Sequence, residues 1–142
     1  MDKSDHVDPS KIVQHLLIND PFSQWMGVEI EDVKEGFCKV SCTVRDEMLN
    51  GFEVTHGGIL FSLADTALAF SAATYGRVAL ALDNSISFTK KSTTGSRLIA
   101  SSKCINITHK TGVFECRVTN SSDELLAIMK ATVYRTSEEF KL

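Results

Sequence analysis

The stretch HGGILFSLADTALAFSAATY, residues 56–75, constrains the fold more than any other part of the chain. It holds no proline and a single carboxylate, Asp65. Ile59, Leu60, Phe61, Leu63, Ala64, Ala67, Leu68, Ala69, Phe70, Ala72 and Ala73 spread around nearly the whole circumference of a 3.6-residue helix. A helix apolar on almost all sides must be enclosed by its neighbours. Asp65 and several hydroxyls make it a poor membrane span. The expectation is a buried helix over 57–75, stopped at Gly76.

The flanking pattern says what encloses it. Asp8-Pro9-Ser10 caps a short helix with Ile12, Val13, Leu16 and Leu17 on one face. Asn19-Asp20-Pro21 ends that helix, and residues 22–26 suit one further turn. From Gly27 the period becomes two. Val28, Ile30 and Val33 predict a strand with a slip, Glu35-Gly36 a turn, and residues 37–45 a second strand. Residues 46–53 read as loop. Four strand-like runs follow the long helix, at 78–89, 97–108, 113–120 and 125–136. Gly95, Lys110-Thr111-Gly112 and Ser121-Ser122-Asp123 supply the turns between them. Such short separators predict antiparallel pairing. The economical arrangement is α+β: a curved antiparallel sheet of five to six strands wrapped around one long central helix, with a short N-terminal helix. That is the hotdog fold. A chain of 142 residues, 43% apolar, suits a single domain over 1–142, with 1–9 as a loose tail.

Composition removes several function classes. A net charge of −3 gives no global attraction to nucleic acid. Cys38, Cys42, Cys104 and Cys116 form no C-x-x-C pair, and the histidines lack zinc-site spacing, so no metal is expected. The cysteines alternate with their neighbours as reduced strand residues do, which favours a reducing compartment. None sits at a helix start or beside a histidine, which argues against a thiol nucleophile. The start, MDKSDHVDPSK, lacks the apolar core of a signal peptide, so the expected location is cytoplasmic, with no membrane partner.

Asp65 is the anomaly. A carboxylate is costly to bury unpaired, and this helix is otherwise almost free of charge. His56-Gly57-Gly58 precedes the apolar run. Helix N-terminal N–H groups are unpaired and partly positive, so they suit an anion or a developing oxyanion. Gly57 and Asp65 stand eight positions apart, so about 12 Å separates their backbones. One small carbonyl does not span that gap. A second subunit with its helix antiparallel closes it, bringing Asp65 of one chain to Gly57 of the other in two equivalent sites.

Asn50-Gly51, His56-Gly57-Gly58 and Phe61-Ser62-Leu63-Ala64-Asp65-Thr66-Ala67 together resemble the signature of hotdog-fold acyl-CoA thioesterases of the phenylacetate-degradation (PaaI) type. Gly27-Val28, Glu35-Gly36-Phe37, Met48-Leu49, Ile86-Ser87-Phe88 and Thr111-Gly112-Val113 extend the resemblance over residues 26–135. It implies hydrolysis of an acyl-CoA, aryl acetyl (such as phenylacetyl) or medium-chain, to free acid and CoA. Coenzyme A is then part of the substrate, and no separate cofactor is implied. The resemblance makes Asp65 the nucleophile or the general base, and the Gly57 N–H the group that polarises the thioester carbonyl. Gly58 shapes the loop, Asn50 and His56 orient the thioester or the water, and Thr66 lines the site or bonds to Asp65. The family's dimers pair into tetramers, in agreement with the spacing argument.

The sequence also departs from that family. Phe88 is followed by Thr89-Lys90-Lys91-Ser92 where relatives often have Arg-Pro. Lys90, Lys91 and Lys110, with Arg97 and Lys103, offer positive charge for CoA phosphates. Some relatives carry a catalytic hydroxyl on the strand after the helix. Ser85 and Ser87 are the nearest candidates, though Asp83 and Asn84 interrupt the usual small apolar pattern. Trp25 and Met26 are tunnel candidates, but such residues near a helix end more often belong to the core. His6, His15 and His109 lack partner patterns and read as surface residues. Two other functions stay open: a noncatalytic acyl-CoA binder, which has little use for Asp65, and a hydroxyacyl dehydratase, which the Gly-Gly after His56 argues against.

Overall fold

The computed structural model describes residues 7–142. In chain order the elements are α1 (Pro9–Ile18), α2 (Pro21–Met26), β1 (Glu29–Lys34), β2 (Phe37–Thr43), α3 (Gly57–Ala73), β3 (Arg77–Phe88), β4 (Arg97–Ile107), β5 (Thr111–Thr119) and β6 (Leu125–Glu139). All six strands form one antiparallel sheet in the order β1-β2-β4-β5-β6-β3. The hotdog arrangement expected from the pattern is therefore present. Among the described residues, no helix is long and apolar enough to cross a membrane.

Local chemistry explains the elements. Asp8 caps α1 by accepting from the Ser10 N–H at 2.9 Å, and Pro9 takes the first helical position, where its missing N–H costs nothing. Asp8 is thus the N-cap and Pro9 the first residue of α1. The rest of the expected tail, His6 included, lies largely outside the described residues, while His15 and His109 are exposed. Asp20 caps α2 in the same way, and Gly27 ends it at φ 74°. The predicted slip in β1 is a register shift between Ile30 and Asp32.

α3 crosses the concave face of the sheet. Leu63, Ala64, Ala67 and Leu68 are sealed against Val40, Leu98, Ala100, Phe114, Val118 and Met129. Each large apolar side chain buried in this way contributes about 1.5–3 kcal/mol. Hydroxyls pin the helix as well. Ser71 and Ser102 pair at 2.7 Å inside the core. Thr74 accepts from the Gly36 N–H at 2.8 Å and donates to the Ser71 carbonyl. That second bond closes the helix at Ala73, two residues short of the expected end. β6 runs three residues further than expected because β3 pairs along it as far as Glu139.

The enclosure of α3 has a gap. Gly58, Phe61, Ser62, Asp65 and Ala69 are exposed or half-buried, spaced as one stripe along the helix. The carboxylate stands on this open stripe. β3, which with β1 is an edge strand of the sheet, forms a second unfinished surface bearing exposed Leu80, Leu82 and Phe88.

Candidate active site

The loop before α3 is stitched down at both ends. His56 donates its N–H to the Met48 carbonyl, Thr55 donates to the Ser92 carbonyl, and the Thr55 and Ser92 hydroxyls pair at 2.7 Å. Asn50 organises the tip. Its Oδ1 accepts from the N–H groups of Phe52 at 2.9 Å and Val54 at 3.4 Å. The acceptor end of Asn50 is thereby occupied, and its Nδ2 donor is the end left for a ligand.

His56 is the N-cap of α3. Its Nδ1 accepts from the Gly58 N–H at 2.8 Å. An accepting Nδ1 carries no proton, so the neutral ring presents Nε2–H as a donor. Ile59 donates to the His56 carbonyl, whereas the Gly57 N–H finds no acceptor among the described residues. Gly57 is tightly covered: a Cβ there would lie 3.2 Å from Cζ of Phe88. The helix start therefore offers one unpaired donor beneath an aromatic ring.

Asp65 lies two turns further on, half-buried. Its Oδ1 accepts from Asn84 Nδ2 at 2.8 Å. Two independent spacings agree here. Eight helical residues rise about 12 Å and four strand residues about 13.6 Å. α3 and β3 thus run past each other so that Phe88 meets Gly57 while Asn84 meets Asp65. Strand parity places Asn84, Ile86 and Phe88 toward the helix, and Ser85 and Ser87 on the opposite, exposed face. In this chain the group from β3 that reaches Asp65 is the Asn84 amide. In the sequence, Asn84 interrupts the small apolar pattern of the strand. The parity of Ile86 and Phe88 was the signal that pointed it inward.

Two shallow clefts flank the open stripe. One, about 310 Å³, is lined by Asp20, Phe22, Ser23, Phe61, Asp65 and Thr66 among others. Its neighbour, about 280 Å³, runs past Trp25, Met48 and Leu49 to His56 and Gly58. Phe22 and Ser62 belong to both, so the clefts join the helix start to the carboxylate. Thr66 lines the first cleft, but its hydroxyl pairs with buried Ser23 at 3.2 Å rather than with Asp65. Ser23 in turn donates to Asp20 at 2.6 Å. Met26 is fully buried core, while half-exposed Trp25 lines the second cleft under the Arg45 guanidinium.

The basic candidates scatter. Lys90 and Lys91 follow β3 just beyond Phe88, and Lys90 is ion-paired with Glu124. Arg97 is engaged by Glu29 and Glu31. The Lys110 carbonyl accepts from Arg135, which pairs with Ala79, nine residues along β3 from Phe88. About 30 Å of strand thus separates the end of β3 near Lys110 from the end near Lys90.

A long helix held by an antiparallel sheet, with a carboxylate on its open stripe and an unpaired N–H at its glycine start, defines the class of hotdog-fold thioester hydrolases. The chain belongs to the Thioesterase superfamily, whose family model matches residues 52–127, more than half of its length. A putative esterase of Archaeoglobus fulgidus is 38% identical over 92% of this chain and 84% of its own. Acyl-coenzyme A thioesterase PaaI of Escherichia coli is 34% identical over 82% of this chain and 84% of its own. The solved E. coli PaaI structure superposes with a TM-score of 0.91 at 30% identity, covering 94% of this chain and 96% of that one. A Streptococcus mutans protein solved bound to acetyl-CoA matches with a TM-score of 0.77 at 26% identity, over 80% of this chain and 91% of that one.

Proposed function

We propose that this protein hydrolyses an acyl-CoA, aryl acetyl or medium-chain, to the free acid and CoA. The observation that carries the reading is Asp65: a carboxylate on the open stripe of an otherwise apolar helix, beside a cleft that continues to His56 and Gly58, the residues on either side of Gly57. A thioesterase for coenzyme A among the relatives, and a second relative holding acetyl-CoA, support the substrate class.

The chemistry needs few groups because a thioester is already activated. As general base, Asp65 takes a proton from water while the water oxygen bonds to the carbonyl carbon. The Gly57 N–H stabilises the resulting oxyanion, an interaction typically worth about a hundred- to a thousandfold in rate. Collapse breaks the C–S bond, and the proton passes to the departing sulfur. As nucleophile, Asp65 would instead bond to the carbonyl carbon and expel the CoA thiolate, leaving a mixed anhydride whose hydrolysis by water releases the acid and restores the carboxylate. The donors Nε2–H of His56 and Nδ2 of Asn50 orient the thioester oxygen or the water. Gly58 and Thr66 shape the cleft.

Asp65 and Gly57 lie too far apart in one chain to grip one carbonyl, so the working unit is a homodimer. The β3 edge is the surface on which it forms. Leu80 is 58% exposed and Leu82 63% exposed, and an apolar edge strand invites pairing with a second copy. Two such dimers associate into the tetramer. Lys90 and Lys91, next to the Phe88 that covers Gly57, attract the CoA phosphates. Lys110 serves only a site completed by a second copy.

The test is thiol release from a panel of aryl and straight-chain acyl-CoAs, with wild type and Asp65→Asn side by side. Wild type should hydrolyse members of the panel. The substitution should lower kcat at least about a hundredfold with circular dichroism unchanged. Full activity in Asp65→Asn would remove the carboxylate from the mechanism. Wild type that binds these esters without turnover would make the protein a binder.

A further inference from the structure

We propose that Asn84 is a positioning residue for Asp65, kept in the sheet for the reaction and not for the fold. The inference rests on Asp65 being the reacting carboxylate.

The surroundings of Asn84 call for an apolar side chain. It lies in the inward row of β3 with Ile86 and Phe88. Its register partner on β6 is Ala131, whose partner on β5 is Phe114. In that setting the Asn84 amide is only half satisfied. Nδ2 donates to Asp65 Oδ1 at 2.8 Å, while Oδ1 is buried with no hydrogen-bond partner among the described residues. An acceptor left in this state typically costs about 1–3 kcal/mol. A valine at the same place would avoid that cost and suit a strand better.

The single bond explains why the amide is there. It can run only one way, because a carboxylate accepts and the amide oxygen cannot donate. Turning the amide over would set two acceptors against each other. The bond therefore holds the carboxylate plane, which a terminal sp² torsion otherwise leaves broad, and it occupies Oδ1. Oδ2 is the oxygen left to take a proton or to attack carbon. A reacting group misplaced by about 1 Å can lose about a hundredfold in rate.

The experiment compares Asn84→Val and Asn84→Ser with wild type in kcat, KM and thermal midpoint. For Asn84→Val we expect kcat to fall at least about tenfold, KM to stay within about twofold, and the midpoint to match or exceed that of wild type. Asn84→Ser keeps a hydroxyl donor and should fall between valine and wild type in kcat. A purely structural residue would not lose turnover while its protein gained heat resistance. Unchanged kcat in Asn84→Val overturns the proposal. So does a joint fall of kcat and midpoint in both variants, or failure of both to fold. An inert Asp65→Asn beside a fully active Asn84→Val would sink this inference alone, whereas an active Asp65→Asn would sink the catalytic assignment on which it rests.

Discussion

At the scale of single residues, the candidate site is one carboxylate held by the Asn84 amide and, two helical turns away, a group of donors at the start of α3. The Gly57 assignment has a clean test, because proline is compatible with the first position of a helix. His56 already has the extended backbone that a following proline demands, at φ −59° and ψ 133°. Gly57→Pro deletes the N–H, whereas Gly57→Ala keeps it and only crowds Phe88. We expect kcat to drop at least about a hundredfold in the proline variant and several-fold less in the alanine variant, measured by steady-state thiol release. Equal losses would mean that bulk, not the donor, matters there. The cysteines stand apart from this chemistry. Burial pushes the thiols of Cys38 and Cys116 up to about 12 and that of Cys42 up to about 11. A thiol reacts as its thiolate, so these three should resist iodoacetamide at pH 8 in the folded protein, as read by intact mass. Rapid labelling of all three without unfolding would contradict their burial. Asp65, Gly57 and His56 were legible because each is out of keeping with an apolar helix. The Asp20–Ser23–Thr66 chain was not, since it depends on how α2 docks against α3, and no local pattern encodes that.

At the scale of elements, α3 and β3 act as a matched pair. Their rise per residue sets Phe88 over Gly57 when Asn84 reaches Asp65. The rest of the sheet is the mould that holds α3. Leu63 is fully buried in it, and Leu63→Ala should cost about 2–5 kcal/mol in chemical denaturation, well beyond a surface change. A loss below about 1 kcal/mol would mean that α3 is not the centre of the core. The helices and strands were readable from periodicity, down to the slip in β1, where Val28, Ile30 and Val33 break alternation. Their ends were less readable. α3 stops at the Thr74 hydroxyl bond, and β6 is prolonged by a partner strand distant in sequence; both depend on tertiary contacts.

At the scale of the whole molecule, the single chain is unfinished. Its helix has an open stripe, its sheet has an apolar edge, and the two groups proposed to act on the substrate, Asp65 and Gly57, are separated by about 12 Å. The proposed dimer through β3 would resolve all three. Replacing Leu80 and Leu82 by lysine should yield a monomer in sedimentation with native circular dichroism and at least about tenfold less turnover. A fully active monomer would refute a shared site. The antiparallel sheet and the enclosed helix were foreseeable from the order of patterns. The placement of β3 at an edge was not, because the sequence shows that strands pair without showing which two are left with one neighbour each. The most direct measurement is complementation between two inactive variants. Asp65→Asn and Gly57→Pro chains are co-expressed, and thiol release from the mixed population is compared with each variant alone. If Asp65 of one chain works with Gly57 of the other, every mixed dimer contains one intact site, and random pairing should restore about a quarter of wild-type activity. If each chain builds its own site, no mixed dimer contains an intact one, and activity no higher than that of the separate variants would contradict the account.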